Sequence, residues 1–282
     1  MSVTRVHHID VCTMCPFGGR LVSGDPSASI FSTAKMVAHA LLVEGADGLT
    51  LVDTGLGLDD VRDPARRLGR GFVLAARPQL GEAHTAVRQV EALGFDRRDV
   101  RRVVLTHLDV DHAGGLPDFP EADVHVYQVE HDAAMARATR NERERYRPCH
   151  FSHGPRWSLH APGGDRWYGL ESVRAVGDDV VIVPTVGHTR GHSAIAVRAP
   201  AGSSVEWLVH CGDAYFFHAE ISDEPWCPPA LALFQSTLAV DDRARRVNAG
   251  RLADLRRSHP ELALFSAHCP RDYERMRAAT SA

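Results

Sequence analysis

Thr106-His107-Leu108-Asp109-Val110-Asp111-His112-Ala113-Gly114-Gly115 is the stretch whose reading decides the fold. Four side chains able to hold a metal, His107, Asp109, Asp111 and His112, fall within six residues. They follow directly on Val103-Val104-Leu105, an apolar run that reads as a buried strand. In extended backbone alternate side chains share a face, so His107, Asp109 and Asp111 would point one way. A turn at Asp111-His112 would then bring both inward, with Ala113 and Gly114 leaving room for a helix to start close by. Any one of the four could instead cap that helix or bond at the surface. The whole cluster after a strand points to a metal site.

Working outward, the same pattern of apolar run followed by a His or Asp turn recurs. It is present in Leu49-Thr50-Leu51-Val52-Asp53-Thr54-Gly55, in Val180-Val181-Ile182-Val183-Pro184 leading to His188, in Trp207-Leu208-Val209-His210-Cys211-Gly212-Asp213, and in Leu262-Ala263-Leu264-Phe265-Ser266-Ala267-His268. Each reads as a central strand with a polar group at its end, where a rigid scaffold can fix it and leave the loops open. Helical spacing predicts helices over 83–93, with Ala86, Val87, Val90 and Leu93 on one face and Gly94 stopping it, over 128–146, and over 241–258, with Val247, Leu252 and Leu255 as buried positions and Asp241 or Asp242 as cap. Segments 147–165, carrying Pro148, Pro155, Pro162 and Trp157, and 218–229, carrying Pro225, Trp226, Pro228 and Pro229, read as long loops, either lids or substrate walls.

The chain has 282 residues, 44% hydrophobic and 24% charged, with a formal net charge of -4, and is expected to be a single domain over 1–282. The acidic balance argues against nucleic-acid binding. No apolar run suggests a membrane span and the N-terminus has no signal core, so a cytoplasmic location is expected. The six cysteines do not read as a disulfide framework. Cys12 and Cys15 form a C-x-x-C before Pro16-Phe17-Gly18-Gly19, read as a structural loop near the site mouth, with a redox or zinc role as the alternative. Seventeen histidines are the informative excess.

These residues resemble the metallo-β-lactamase superfamily, especially its glyoxalase II and acyl-homoserine-lactonase branches. The resemblance runs from about Ala38 to His268. It rests on Val52-Asp53-Thr54-Gly55, the T-H-x-x-x-D-H-x-G-G core, Gly187-His188-Thr189-Arg190-Gly191-His192-Ser193, Gly212-Asp213, and a last strand ending in His268. It implies an α/β (α+β) fold, the four-layer αββα metallo-β-lactamase sandwich. It also implies that His107, Asp109 and His188 hold a first metal, that Asp111, His112 and His268 hold a second, and that Asp213 bridges. Asp53 would stand behind the ligands and His192 would be structural.

The commonest form of the motif is H-x-H-x-D-H, and here the middle ligand is Asp109. The two half-sites would then be alike, each with two imidazoles and one carboxylate, and three carboxylates plus a bridging hydroxide would cancel two divalent charges. Zinc is expected first, and the harder carboxylate widens the choice toward iron or manganese. The function expected is hydrolysis of a lactone, ester or thioester by a metal-bridging hydroxide, with Asp111 orienting it and carrying a proton. Tyr215, two residues after Asp213, would assist the carbonyl oxygen or leaving group, a packed core tyrosine being the alternative.

An iron-dependent oxygen or sulfur redox enzyme is a second reading. Di-iron relatives carry Glu at the middle position, but they resemble fusions with a flavin-carrying domain that has no place after His268. A non-catalytic metal-binding protein is a third, and the intact ligand set argues against it. The absence of a basic arm disfavours a ribonuclease Z-like nuclease, and the absence of an export signal disfavours a β-lactamase proper. A small-molecule substrate is expected. The oligomeric state is open, a homodimer included. His150, His153 and His160 are lid candidates or solvated groups. Phe17, Trp157, Trp167 and Trp226 are candidates for an apolar pocket wall, with core packing the alternative.

Overall fold

The computed structural model describes residues 2–161 and 163–281; Met1, Ala282 and Pro162 of the first predicted loop lie outside the described residues. Strands β1 (Val3–Asp10), β2 (His39–Gly45), β3 (Gly48–Val52), β4 (Val100–Val104), β5 (Asp123–Tyr127) and β6 (Arg156–His160) form one sheet in that order. It is antiparallel from β1 to β3 and parallel from β3 to β6. A short hairpin of β7 (Arg166–Trp167) and β8 (Leu170–Glu171) leads to the second sheet. That sheet contains β9 (Val173–Val176), β10 (Val180–Pro184), β11 (Ser193–Arg198), β12 (Trp207–His210) and β13 (Leu262–Phe265), ordered β13-β12-β11-β10-β9. Only its β12–β13 pair is parallel.

The period of two in these strands sorts their side chains into separate cores. Leu41 and Val43 of β2, Val52, Val104, Ile182, Ile195, Leu208 and Phe265 meet between the sheets. Their neighbours Ala40, Leu42, Leu51 and Val103 face outward onto helices. Ala86, Val87 and Val90 of helix Ala86–Ala92 and Ala133 and Ala134 of helix Gln128–Ala136 cover that side. Val181, Val183, Ala194, Ala196 and Val209 face the other way, onto Leu252, Ala253 and Leu255 of helix Asp242–Ser258. The layers are therefore helix, sheet, sheet, helix, the αββα sandwich. Among the described residues no helix is long and apolar enough to cross a membrane.

Several local expectations are corrected. The helix predicted over 128–146 is two, Gln128–Ala136 and Arg140–Arg145. Arg137 turns left-handed with φ of 45°, and a reciprocal Thr139–Glu142 cap starts the second. Leu93 and Val247 are exposed, because Leu93 is the C-terminal cap and Val247 points away from the face that Asn248, Ala249 and Leu252 bury. The predicted loop over 147–165 contains β6, an edge strand paired in parallel with β5. Asp241 caps its helix as expected, accepting from the Ala244 N–H at 2.9 Å.

Candidate metal centre

Five strands end where the candidate residues begin. Asp53 follows β3, His107 follows β4, His188 follows β10, Asp213 follows β12 and His268 follows β13. Between His107 and Ala113 the chain does not stay extended. A single helical turn, Val110–Ala113, starts right after Asp109 and swings Asp111 and His112 inward. Two strained or crowded backbone positions hold the turns. Asp53 itself sits at φ of 60°, and Gly212 at φ of 51° leaves room where a Cβ would lie 2.6 Å from His192 Nε2.

The result is two triads sharing one carboxylate. In the first, His188 Nε2 lies 3.1 Å from Asp109 Oδ2, and His107 Nε2 lies 3.5 Å from the same oxygen. In the second, His268 Nε2 lies 3.5 Å and His112 Nε2 4.0 Å from Asp111 Oδ2, and the two imidazole nitrogens are 3.4 Å apart. Asp213 divides its oxygens between them. Oδ2 is 3.3 Å from His188 and 3.8 Å from His107, while Oδ1 is 3.1 Å from His268 and 3.3 Å from His112. Ligands about 2.0–2.1 Å from a tetrahedral zinc stand about 3.3 Å from one another, so these spacings suit shared cations. Among the described residues, His107 Nε2 and Asp213 Oδ1 are buried with no hydrogen-bond partner. Buried polar atoms left in that state call for an ion or water. The residues present fit a pair of divalent cations.

Behind the triads, second partners fix the ring orientations. His112 Nδ1 donates to Asp53 Oδ2 at 2.8 Å and His268 Nδ1 to the Val37 carbonyl at 2.7 Å. His107 Nδ1 donates to Thr106 Oγ1 at 2.9 Å, and that hydroxyl donates to Asp53 Oδ2 at 2.8 Å. Each of these three rings therefore turns Nε2 to the centre. Burial raises the Asp53 carboxyl, but the charge and hydrogen bond of His112 outweigh it and hold the group at about 2. Burial opposes charge on His112, yet Asp213, Asp53 and Asp111 pull it well upward. His188, where burial prevails, falls to about 4. His192 is structural, as the resemblance implied. Its Nδ1 donates to the Thr185 carbonyl at 3.0 Å and its Nε2 accepts from the Asp213 N–H at 2.8 Å.

Two buried charges escaped the sequence reading. Arg145, at the end of helix Arg140–Arg145, places Nε 3.1 Å from Asp109 Oδ1 and donates from Nη1 to the His188 carbonyl at 2.8 Å. Glu130 accepts from the Leu108 N–H at 3.0 Å, the Tyr146 hydroxyl at 3.1 Å, the Thr189 hydroxyl at 2.7 Å and the Gly191 N–H at 3.0 Å. Both lay in segments read only as helix. The available signal was Asp109 itself, since a carboxylate where an imidazole is common needs a counter-charge when buried.

Tyr215 is not brought to the centre. It is fully buried in the outer core of the second sheet, its hydroxyl near Cys211, Asp272 and Cys269. The packed core tyrosine is the reading that matches. His150 is neither lid nor solvated, because its Nε2 bonds the buried Asp60 at 2.9 Å. His160 pairs with His125 at 3.0 Å, and His153 is half-buried. Trp167 is core, Trp157 half-buried against the first sheet, and Phe17 and Trp226 are exposed. Cys12 is buried in the first-sheet core and Cys15 half-buried, both with free thiols.

With fold and centre described, the class follows: the chain belongs to the metallo-β-lactamase superfamily, whose family model matches residues 35–253, and it is a metal-dependent hydrolase. It is 39% identical over 274 residues to a probable metallo-hydrolase of Mycobacterium tuberculosis, covering 96% of this chain and 82% of that one. An N-acyl homoserine lactonase of Rhizobium johnstonii is 30% identical over 161 residues, 57% of this chain and 59% of the relative. Among solved structures, an N-acyl homoserine lactone hydrolase with N-hexanoyl-L-homoserine bound at its catalytic metal centre superposes with a TM-score of 0.71 at 20% identity, covering 98% and 97% of the two chains. A dizinc quorum-quenching lactonase, also in complex with a product, gives 0.62 at 14% identity over 96% and 90%.

Proposed function

We propose that the chain is a two-metal hydrolase of a small ester-like bond, a lactone first and a thioester or simple ester next. The observation that carries this reading is the division of Asp213, one oxygen toward His107, Asp109 and His188 and the other toward Asp111, His112 and His268. Two divalent cations held there, zinc before iron or manganese, would lower the pKa of water and polarise a carbonyl oxygen.

The chain's own residues do the rest. Asp111 retains 9% exposure at the edge of the cluster, enough to meet a solvent molecule, orient it and accept its proton. Phe216 sets its ring 4.8 Å from that of His268 and 6.0 Å from that of His188, and Phe234 stacks edge-on to it at 6.1 Å. This apolar flank suits an uncharged or acyl-bearing substrate and keeps water away from one side of the ligands. The lactonase relatives support the choice of a lactone.

Metal-loaded protein is expected to hydrolyse members of a panel of acyl lactones, thioesters and esters, and His112→Ala is expected to abolish the activity. Protein carrying two metal ions yet inert toward lactones, esters, thioesters, β-lactams and phosphodiesters would overturn this function.

A further inference from the structure

The two triads match in donor type, but the charged groups in direct contact with their ligands are opposite in sign. Behind the second is the Asp53 carboxylate, hydrogen-bonded to His112 Nδ1 at 2.8 Å. Behind the first is the Arg145 guanidinium, 3.1 Å from Asp109 Oδ1 and with Nη2 3.5 Å from His188 Nε2, the nitrogen that faces the centre. Arg145 is not a loose surface cation. It is 9% exposed, and besides its bond to the His188 carbonyl it reaches the Leu238 carbonyl at 3.4 Å from Nη2. A fixed positive charge beside the ligands repels an incoming cation and already occupies part of the Asp109 carboxylate. A fixed negative charge behind His112 does the reverse. Low-dielectric surroundings enlarge both effects.

Resting on the two-metal reading above, we infer that Arg145 makes the centre load in order: the Asp111–His112–His268 half fills first and tightly, and the His107–Asp109–His188 half fills second and weakly. Arg145 is a positioning residue here, acting through Asp109 and His188. Charges just behind metal ligands typically change affinity 10–100-fold, so the gap between the two steps should be at least about tenfold.

The test is a titration of metal-free full-length protein with Zn2+ against a chromophoric chelator, counting ions bound at each step. The wild type is expected to show one tight and one weak step. Arg145→Gln should tighten the weak step by about tenfold or more and leave the tight one in place, whereas Arg145→Lys, which keeps the charge, should preserve the gap. Should Arg145→Gln fail to fold, His188→Ala serves instead and is expected to remove the weak step only. Two equal steps in the wild type, a weak step that loosens in Arg145→Gln, or loss of the tight step in His188→Ala would each overturn the inference while leaving a two-metal hydrolase intact. Failure to bind any ion would overturn the functional reading itself and this inference with it.

Discussion

The half-site of His107, Asp109 and His188 and that of Asp111, His112 and His268 present the same atoms, two imidazole nitrogens and one carboxylate. They differ in what holds those atoms. The second half hangs on Asp53 and the Val37 carbonyl, both acceptors that fix Nδ1–H groups. The first hangs on Arg145 and on Glu130, which grips the Leu108 N–H on one side and Thr189 and Gly191 on the other. The protonation leanings of His188 on one side and of His112 and His268 on the other follow the same division. Burial drives His188 down to about 4, whereas in His112 and His268 the attraction of Asp213 and its carboxylate neighbours outweighs burial and shifts both upward. A ligand list therefore says which atoms converge, and the next layer of charge says how unequal the two halves are.

Removing the shared carboxylate should erase the comparison, because both halves lose a donor at once. Asp213→Ala is expected to lower lactone or ester hydrolysis by more than about 100-fold, beyond what changes behind the ligands cost. Metal analysis should show that neither half retains its ion tightly. Retention of the tightly held ion of the second half would contradict the bridging assignment.

Glu130 allows the first half to be loosened without touching a ligand. Its carboxylate is fully buried and receives four donors. Glu130→Ala leaves all four unpaired, and breaking a buried charged network of this kind costs about 3–5 kcal/mol. Chemical denaturation should read that loss. Among the variants that still fold, metal should be lost from the first half before the second.

The fold and the candidate cluster were legible because each segment that carries a candidate residue follows a contiguous apolar run, and such runs are strands buried on both faces. Val103-Val104-Leu105 before His107 and Leu262 to Phe265 before His268 show this most plainly. Elements at the margins were not legible. β6 lies at a sheet edge between prolines and glycines, so Arg156–His160 alternates too weakly to stand out. The break at Arg137 has neither Gly nor Pro to mark it. Arg145 reads as one more charge in Arg140-Asn141-Glu142-Arg143-Glu144-Arg145. Its burial is decided by a partner in a distant segment, Asp109, and a helix that turns Glu142 and Arg145 inward at i,i+3 spacing has no apolar stripe to reveal it.

Asp53→Asn sharpens the comparison from the other side. It keeps an oxygen for His112 Nδ1 and removes the negative charge. The expected result is a 10–100-fold weaker tight step in a Zn2+ titration, with the weak step little changed. An equal loss at both steps would mean that Thr106, which bonds Asp53 and His107 alike, transmits the change to the first half.

The smallest effect expected lies at Asp118, a few residues past the helical turn that carries Asp111 and His112. Asp118 Oδ2 accepts from the Leu58 N–H at 2.9 Å, close behind Gly57 and Gly114. Burial raises its carboxyl to about 6, with Asp60 and Asp59 adding to the rise against that hydrogen bond. An unfolded aspartate titrates near 3.9, so between about pH 4 and pH 6 the folded chain binds the extra proton. The stabilisation of the protonated form is complete below the unfolded value and is lost as pH rises through the folded one. Asp118→Asn keeps the acceptor and cannot ionise, so it should add about 1–2 kcal/mol at pH 8, about half of that at pH 5 and almost nothing below pH 4. Thermal melts of both proteins across that range read the difference. A gain independent of pH would show that packing, not charge, governs the effect of the Asp118 side chain.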